Sequence, residues 1–276
     1  MKMTTETITA RKNPTVMLAA SLSEKKYRDK HGLFLAEGIK LCEEAVAAGA
    51  PIVHVLLSEE YAAKNLARIE RLFLDPLYED TRLSVLSASC FEKITTEKSP
   101  EGIILLIKHL DISKYCIKID VDYSASIGSA IFLSAIRDPG NLGTVLRSAL
   151  AFGAETVILS GDCADLYHPR TVRAAMGAVF RIPTIRVADP TASVDALVAS
   201  GRRVFAAELR ERAVPVFSVE LCSSDVFLIG NEGHGIPEAL SARCTASVYL
   251  PIAENSESLN AAVAATVFLW EQSKTR

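Results

Sequence analysis

Short apolar runs with strand character recur through the second half of this chain, at 130–136, 155–160, 180–187, 203–207, 225–230 and 246–250. Helix-like segments separate most of them. Strands joined through helices pair in parallel, because a crossover and not a hairpin links them. A parallel sheet then needs helices on both faces, since its strands are apolar on both sides. This alternation predicts an α/β domain over 127–274. The first half carries a smaller version of the pattern. Residues 37–49 read as a helix ended by Gly49, 51–57 as a strand, 59–73 as a helix, and 83–86 and 102–107 as further strands. The organisation expected is a flexible N-terminus at 1–13, a small α/β domain at 14–110, a linker at 111–126, and the parallel-sheet domain.

Three loops at strand ends concentrate the polar chemistry. The first follows the run at 130–136 and reads Ile136-Arg137-Asp138-Pro139-Gly140-Asn141-Leu142-Gly143. Asp-Pro-Gly-Asn is dense turn chemistry, and Asn141 is a suitable cap for a helix over Thr144 to Phe152. Arg147 stands within that apolar helix, where a guanidinium needs a partner or a cavity. The second loop is Gly230-Asn231-Glu232-Gly233-His234-Gly235. The third runs from Leu250-Pro251-Ile252 to Ser258-Leu259-Asn260 and opens an apolar helix reaching Trp270. Ligands of open α/β sheets bind outside the carboxyl ends of the strands, so three such loops predict one composite site. A dinucleotide fingerprint is excluded: Gly140-x-x-Gly143 has the wrong spacing, and Gly233-x-Gly235 comes too late in the chain.

Composition narrows the class. No apolar run reaches the roughly 18 residues of a membrane helix, and Met1 to Pro14 lacks the apolar segment of a secretory signal. The six cysteines (42, 90, 116, 163, 222 and 244) show no Cys-x-x-Cys pair and read as reduced thiols, with no metal framework. A cytoplasmic enzyme is expected. The net charge is −3, yet residues 11–30 hold six basic side chains against two acidic ones. Such a strip can supply phosphate contacts; a solvated helix face is the competing reading.

Asn141-x5-Arg147, Gly-Asn-Glu-Gly at 230–233, and Leu-Pro-Ile followed by Ser-Leu-Asn at 258–260 resemble the three motifs of the SpoU/TrmH-type (SPOUT) RNA ribose 2′-O-methyltransferases. They occur in the family's order. Lys25-Lys26-Tyr27-Arg28 and the residues to Gly38 are similar to the start of the family's substrate-binding domain, which resembles a small ribosomal protein. The resemblance implies a deep trefoil knot in the parallel-sheet domain, S-adenosylmethionine as cofactor, a homodimer through the knotted domain, and RNA as substrate. The N-terminal domain points to large-subunit rRNA. A tRNA methyltransferase and a catalytically silent RNA-binding module of the same fold are the alternatives.

Site residues carry over position by position. Arg147, Asn141, Glu232, Ser258 and Asn260 are implied as catalytic. Arg147 would activate the hydroxyl or stabilise the developing alkoxide, with Glu232 as its natural ionic partner; Ser258 could equally cap the last helix. Leu159, Gly230, Gly233, Leu250, Ile252 and Leu259 are implied at the cofactor, through loops around Leu159–Gly161, Ile229–His234 and Leu250–Asn260. Lys25, Lys26, Arg28, Arg170 and Arg173 are the implied RNA contacts, with Arg181 a further candidate for RNA or the interface. His234 reads as an incidental loop histidine.

Overall fold

The computed structural model describes residues 5–110, 128–253, 255 and 258–275. The chain divides into two compact units, Met1–Leu110 with Tyr167–Phe180, and Asp111–Leu166 with Arg181–Arg276. The expected linker at 111–126 lies outside the described residues.

The first unit is built on a five-stranded sheet. Its strands are β1 (Thr5–Ile8), β2 (Leu33–Glu37), β3 (Ile52–Ser58), β4 (Arg82–Leu86) and β5 (Ile103–Lys108), in the order β1-β4-β3-β5-β2. β1, β4 and β3 run parallel, and β5 is antiparallel to both β3 and β2. The helices are α1 (Pro14–Ser21), α2 (Lys25–His31), α3 (Ile39–Ala47), α4 (Glu59–Leu72) and α5 (Ala88–Ile94). α4 shows why the sequence turns helical there. Ser58 caps its first turn by accepting from the Tyr61 amide at 3.2 Å, Glu59 and Glu60 stand at the positive end of the dipole, and Arg71 at the negative end. Residues 5–8, expected to be flexible, form an edge strand instead. Ile8 enters a core with Val16, Leu86 and Phe91, which anchors a segment too short and polar to announce itself. The helix Pro169–Ala175, α7 in chain order, packs against β2, with Tyr167 stacked on Phe34 and His109. Residues 167–180, read from sequence as part of the C-terminal domain, therefore group with the first unit.

The second unit holds a seven-stranded sheet in which every pairing is parallel. Its strands are β6 (Ala130–Leu133), β7 (Thr156–Ser160), β8 (Thr184–Val187), β9 (Val204–Ala207), β10 (Val214–Pro215), β11 (Val226–Ile229) and β12 (Ala246–Tyr249). The order is β10-β12-β9-β11-β6-β7-β8. The helices are α6 (Pro139–Ala151), α8 (Pro190–Ala199), α9 (Glu238–Ser241) and α10 (Ala261–Ser273). Alternate strand residues serve opposite faces. Ala130, Phe132, Val204, Ala206, Val226 and Leu228 join Val194 and Leu197 of α8 and Leu240 of α9 in one core. On the other face Phe227 lies 4.9 Å from the Phe268 ring of α10, a pairing worth about 1 kcal/mol beyond the area buried.

Three boundaries differ from expectation. The strand expected at 180–187 starts at Thr184, because a 3₁₀ turn occupies 178–180 and Pro183 precedes it. β6 ends at Leu133, since Ala135 takes φ 56° and turns the chain. The helix expected from Thr144 begins at Pro139 and is capped by Asp138, not Asn141. Pro is suited to the first helical position, and Asp138 Oδ1 accepts from the Asn141 amide at 2.9 Å. Among the described residues no helix is long and apolar enough to cross a membrane.

Candidate active site

The loop between β6 and α6 is held from several sides. The Ser134 amide donates to the Ile229 carbonyl at 2.8 Å, and the Ala135 amide to Ser160 Oγ at 2.9 Å. The Ala135 carbonyl accepts from Asn231 Nδ2 at 2.8 Å, and the Ile136 carbonyl from the Ala164 amide at 2.8 Å. The unusual φ of Ala135 is thus sustained by partners on two neighbouring loops, as backbone strain must be.

The second loop folds around Asn231. Its Oδ1 accepts from the Gly233 amide at 2.9 Å and the His234 amide at 3.1 Å, while Asn231 and Gly235 exchange backbone hydrogen bonds at 2.9 and 3.0 Å. This hairpin-like closure needs glycine at 230. A Cβ there would stand 2.4 Å from the Gly235 carbonyl carbon. His234 is exposed, with Nδ1 3.2 Å from Asn231 Oδ1.

The third loop meets the other two through side chains. Asn260 caps α10, accepting from the Ala262 and Val263 amides at 2.9 and 3.2 Å, so the capping role weighed for Ser258 belongs to Asn260. Asn260 Nδ2 donates to Asn141 Oδ1 at 3.1 Å. Asn141 Nδ2 in turn donates to Glu232 Oε1 at 2.7 Å, and Asn231 Nδ2 reaches Glu232 Oε2 at 3.3 Å. One residue from each predicted motif therefore stands in a single hydrogen-bonded chain. A carboxylate accepting from amides sits in a charge-assisted bond, the stronger kind.

Other predicted residues are placed differently. Among the described residues no hydrogen bond or ion pair joins Arg147 to Glu232, because the carboxylate is engaged by two asparagines. Arg147 is exposed on α6, about 9 Å along the helix from Asn141 and roughly a third of a turn off its face. Ser258, Leu259 and Ile252 are exposed, Leu250 is half-buried, and Gly233 is exposed. The Leu159 side chain is buried within the sheet, and β7 is separated from β11 by β6. The sequence reading passed over β9, whose carboxyl end lies between those of β11 and β12. There Glu208 accepts from Ser247 Oγ at 2.9 Å, bonds Ser241 Oγ, and pairs with Arg210 at 2.9 Å. Strand order carries that information, and no local pattern at 207–209 does.

In the first unit, Arg28 departs from its expected role. It is buried, and its guanidinium donates to the Leu22 and Ser23 carbonyls, both at 2.8 Å, so it ties the end of α1 to α2. Lys25 and Lys26 are exposed and pair with Asp29 and Glu24. Arg173 pairs with Glu97, and Arg170 is exposed at the start of α7. Among the described residues no group of three or more His, Cys, Asp or Glu is arranged to hold a metal ion.

Comparison with known proteins meets this geometry from another side. Residues 128–270 match the SpoU rRNA Methylase family, and residues 13–105 match the MRM3-like substrate binding domain. The 23S rRNA (guanosine(2553)-2'-O)-methyltransferase of Bacillus subtilis strain 168 is 32% identical over 95% of this chain and 97% of its own. The AdoMet-bound rRNA methyltransferase of Sinorhizobium meliloti superposes with a TM-score of 0.83 at 28% identity, over 98% of each chain. The SpoU methyltransferase AviRb of Streptomyces viridochromogenes, in complex with AdoMet, gives 0.81 at 25% identity over 96% of this chain and 98% of that one. With its three loops joined through Asn260, Asn141 and Glu232 on a parallel sheet, the chain belongs to the SpoU rRNA methylase family.

Proposed function

We propose that this protein transfers a methyl group from S-adenosylmethionine to a ribose 2′-hydroxyl of large-subunit rRNA. The observation that carries the reading is the chain Asn260–Asn141–Glu232, which fixes three strand-end loops around one place. The relatives that are named as 23S rRNA 2'-O-methyltransferases support the acceptor.

The residues present suit the cofactor. Ile252 and Leu259 are apolar yet more than a third exposed, side chains that an adenosyl group would cover. Loop 230–235 brings backbone close to the surface where Gly230 excludes a side chain. We assign the cofactor to Gly230, Gly233, Leu250, Ile252 and Leu259, and replace Leu159 by the end of β9, Ala207 and Glu208, on the strand-order argument. When bound, S-adenosylmethionine supplies an already activated methyl, so the protein's task is mainly to align two groups. Asn141, Glu232, Ser258 and Asn260 hold the loops and orient the ribose. The Arg147 guanidinium acts by attracting a phosphate or the alkoxide that develops as the hydroxyl gives its proton to solvent water.

The trefoil knot is part of this reading. Its support is the path of the chain after β12, which brings α10 back against α6, with Ser148 Oγ and Thr266 Oγ1 2.7 Å apart. A homodimer is proposed through the outer side of these helices, where Leu150, Val263 and Trp270 are 38%, 49% and 49% exposed. The first unit is assigned to rRNA binding, supported by its match to a substrate binding domain. The bacterial 23S rRNA relatives support a cytoplasmic location.

The test is methyl transfer from tritiated S-adenosylmethionine to purified 23S rRNA, 16S rRNA and tRNA. Label in 23S rRNA that is lost in Arg147→Ala is expected. Label confined to tRNA, or cofactor binding with no transfer to any RNA, would contradict the assignment.

A further inference from the structure

The arginines of the second unit divide into two groups. Arg186 donates to the carbonyls of Ser160, Gly161, Cys163 and Ala164, at 2.6 to 3.1 Å. Arg202 bonds the Gly128 and Ser224 carbonyls at 2.8 and 3.0 Å. Arg203 forms a two-point pair with Asp225, Arg210 pairs with Glu208, and Arg243 with Asp195. Arg181 is also engaged. These guanidiniums serve the fold.

Among the described residues of this unit, the side chains of Arg137, Arg147 and Arg212 make no hydrogen bond or ion pair, and all three residues are exposed. Their placement is not scattered. Arg137 follows β6 and Arg212 follows β9, the two strands that flank β11. Arg137 therefore stands at the carboxyl ends of the sheet on the β6 side of the Gly230–Gly235 loop, and Arg212 on the other side of it, in the connection that runs from β9 past β12 to the edge strand β10. Arg137 is presented rigidly. Ser134, Ala135 and Ile136 are tied by backbone bonds, Ile136 is fully buried, and Asp138 caps α6. The Arg137 side chain in that loop is left without a partner among the described residues.

We propose that Arg137 and Arg212 are backbone-phosphate contacts that seat the RNA strand across the candidate site, one on each side of the loop carrying Glu232. This rests on the methyltransferase reading above. Phosphate is favoured over base recognition because each guanidinium is an exposed charge and, among the described residues, has no hydrogen-bond or ion-pair partner to orient it toward a base edge. The contacts position the strand; they carry no sequence information.

The experiment measures methyl transfer and RNA affinity against salt concentration for the full chain, with Arg137→Gln, Arg212→Gln and the double variant. Each single variant is expected to raise the KM for rRNA several-fold and to lower the slope of log affinity against log salt by about 0.7, and the double variant by about twice that. S-adenosylmethionine binding should stay unchanged, and Arg137→Lys and Arg212→Lys should restore the slope. Arg243→Gln, which removes an ion-paired arginine, serves as the control with an unaltered slope. Glutamine variants with wild-type slopes, or lysine variants as weak as glutamine, would overturn the assignment. A wild-type protein that transfers no methyl to any RNA would overturn the methyltransferase reading itself.

Discussion

Asn141 uses both ends of its side-chain amide, donating to Glu232 and accepting from Asn260. Neither aspartate nor leucine can do both, which is why a single asparagine can register two other loops. Its identity was legible in the sequence through the turn chemistry around it; its partners were not, because they lie 91 and 119 residues away. Arg28 shows the reverse case. It belongs to a visibly basic strip, yet it is buried against two backbone carbonyls. Arg28→Ala is expected to lower stability by about 3 kcal/mol in thermal or denaturant unfolding, from the lost charged bonds and the carbonyls left behind. Lys25→Ala and Lys26→Ala should leave the melting temperature unchanged, since both side chains are exposed. His54 gives a prediction about pH. It is buried on β3, 2.8 Å from Ser84 Oγ, and burial, followed by the Arg82 charge, lowers its pKa to about 4. The unfolded chain therefore takes up a proton near pH 6.5 that the native protein refuses. Stability is full above that pH and falls as pH drops, by about 2 kcal/mol between pH 6.5 and 5 from this group. Unfolding titrations of His54→Gln should show that part of the slope removed; an unchanged slope would place its origin elsewhere.

At the scale of elements, strand–loop–helix alternation was readable because apolar runs and glycine-rich turns are local signals. The start of α6 was misplaced by five residues because Asp138 and Asn141 are both good caps, and Pro139 decides between them by fitting the first helical position. β1 escaped notice because an edge strand of four residues draws its stability from β4 and the core around Ile8, not from its own composition. The order of strands is the least local property of all. It takes β7 and Leu159 away from the β11–β9–β12 group and brings in the end of β9, which nothing in the sequence marked. The Gly230 loop offers the sharpest test at this scale. Gly230→Ala would push a methyl group into the Gly235 backbone, so loop 230–235 must open. S-adenosylmethionine affinity is expected to fall at least tenfold by calorimetry, with little change in far-ultraviolet circular dichroism because the strands are unaffected. Retained affinity would show that the loop does not form the cofactor wall.

At the scale of the whole molecule, the unit with the parallel sheet carries the proposed chemistry and the first unit the proposed grip on rRNA. The proposed dimer makes a direct prediction. Trp270 is half-exposed on α10, with the Phe152 ring 5.9 Å from its own, so Trp270→Glu should shift sedimentation from dimer to folded monomer at micromolar concentration. A wild-type monomer would refute the interface. The central claim is that Asn141, Glu232 and Asn260 build a site for ribose methylation. Its most direct test is alkaline hydrolysis of 23S rRNA methylated in vitro by the wild type and by Asn141→Ala. A ribose 2′-O-methyl group blocks cleavage at its own phosphodiester. The label should therefore appear in one alkali-resistant dinucleotide for the wild type, and fall by two orders of magnitude or more for the variant. Label released as a mononucleotide would mean methylation of a base, and would contradict the proposed reaction.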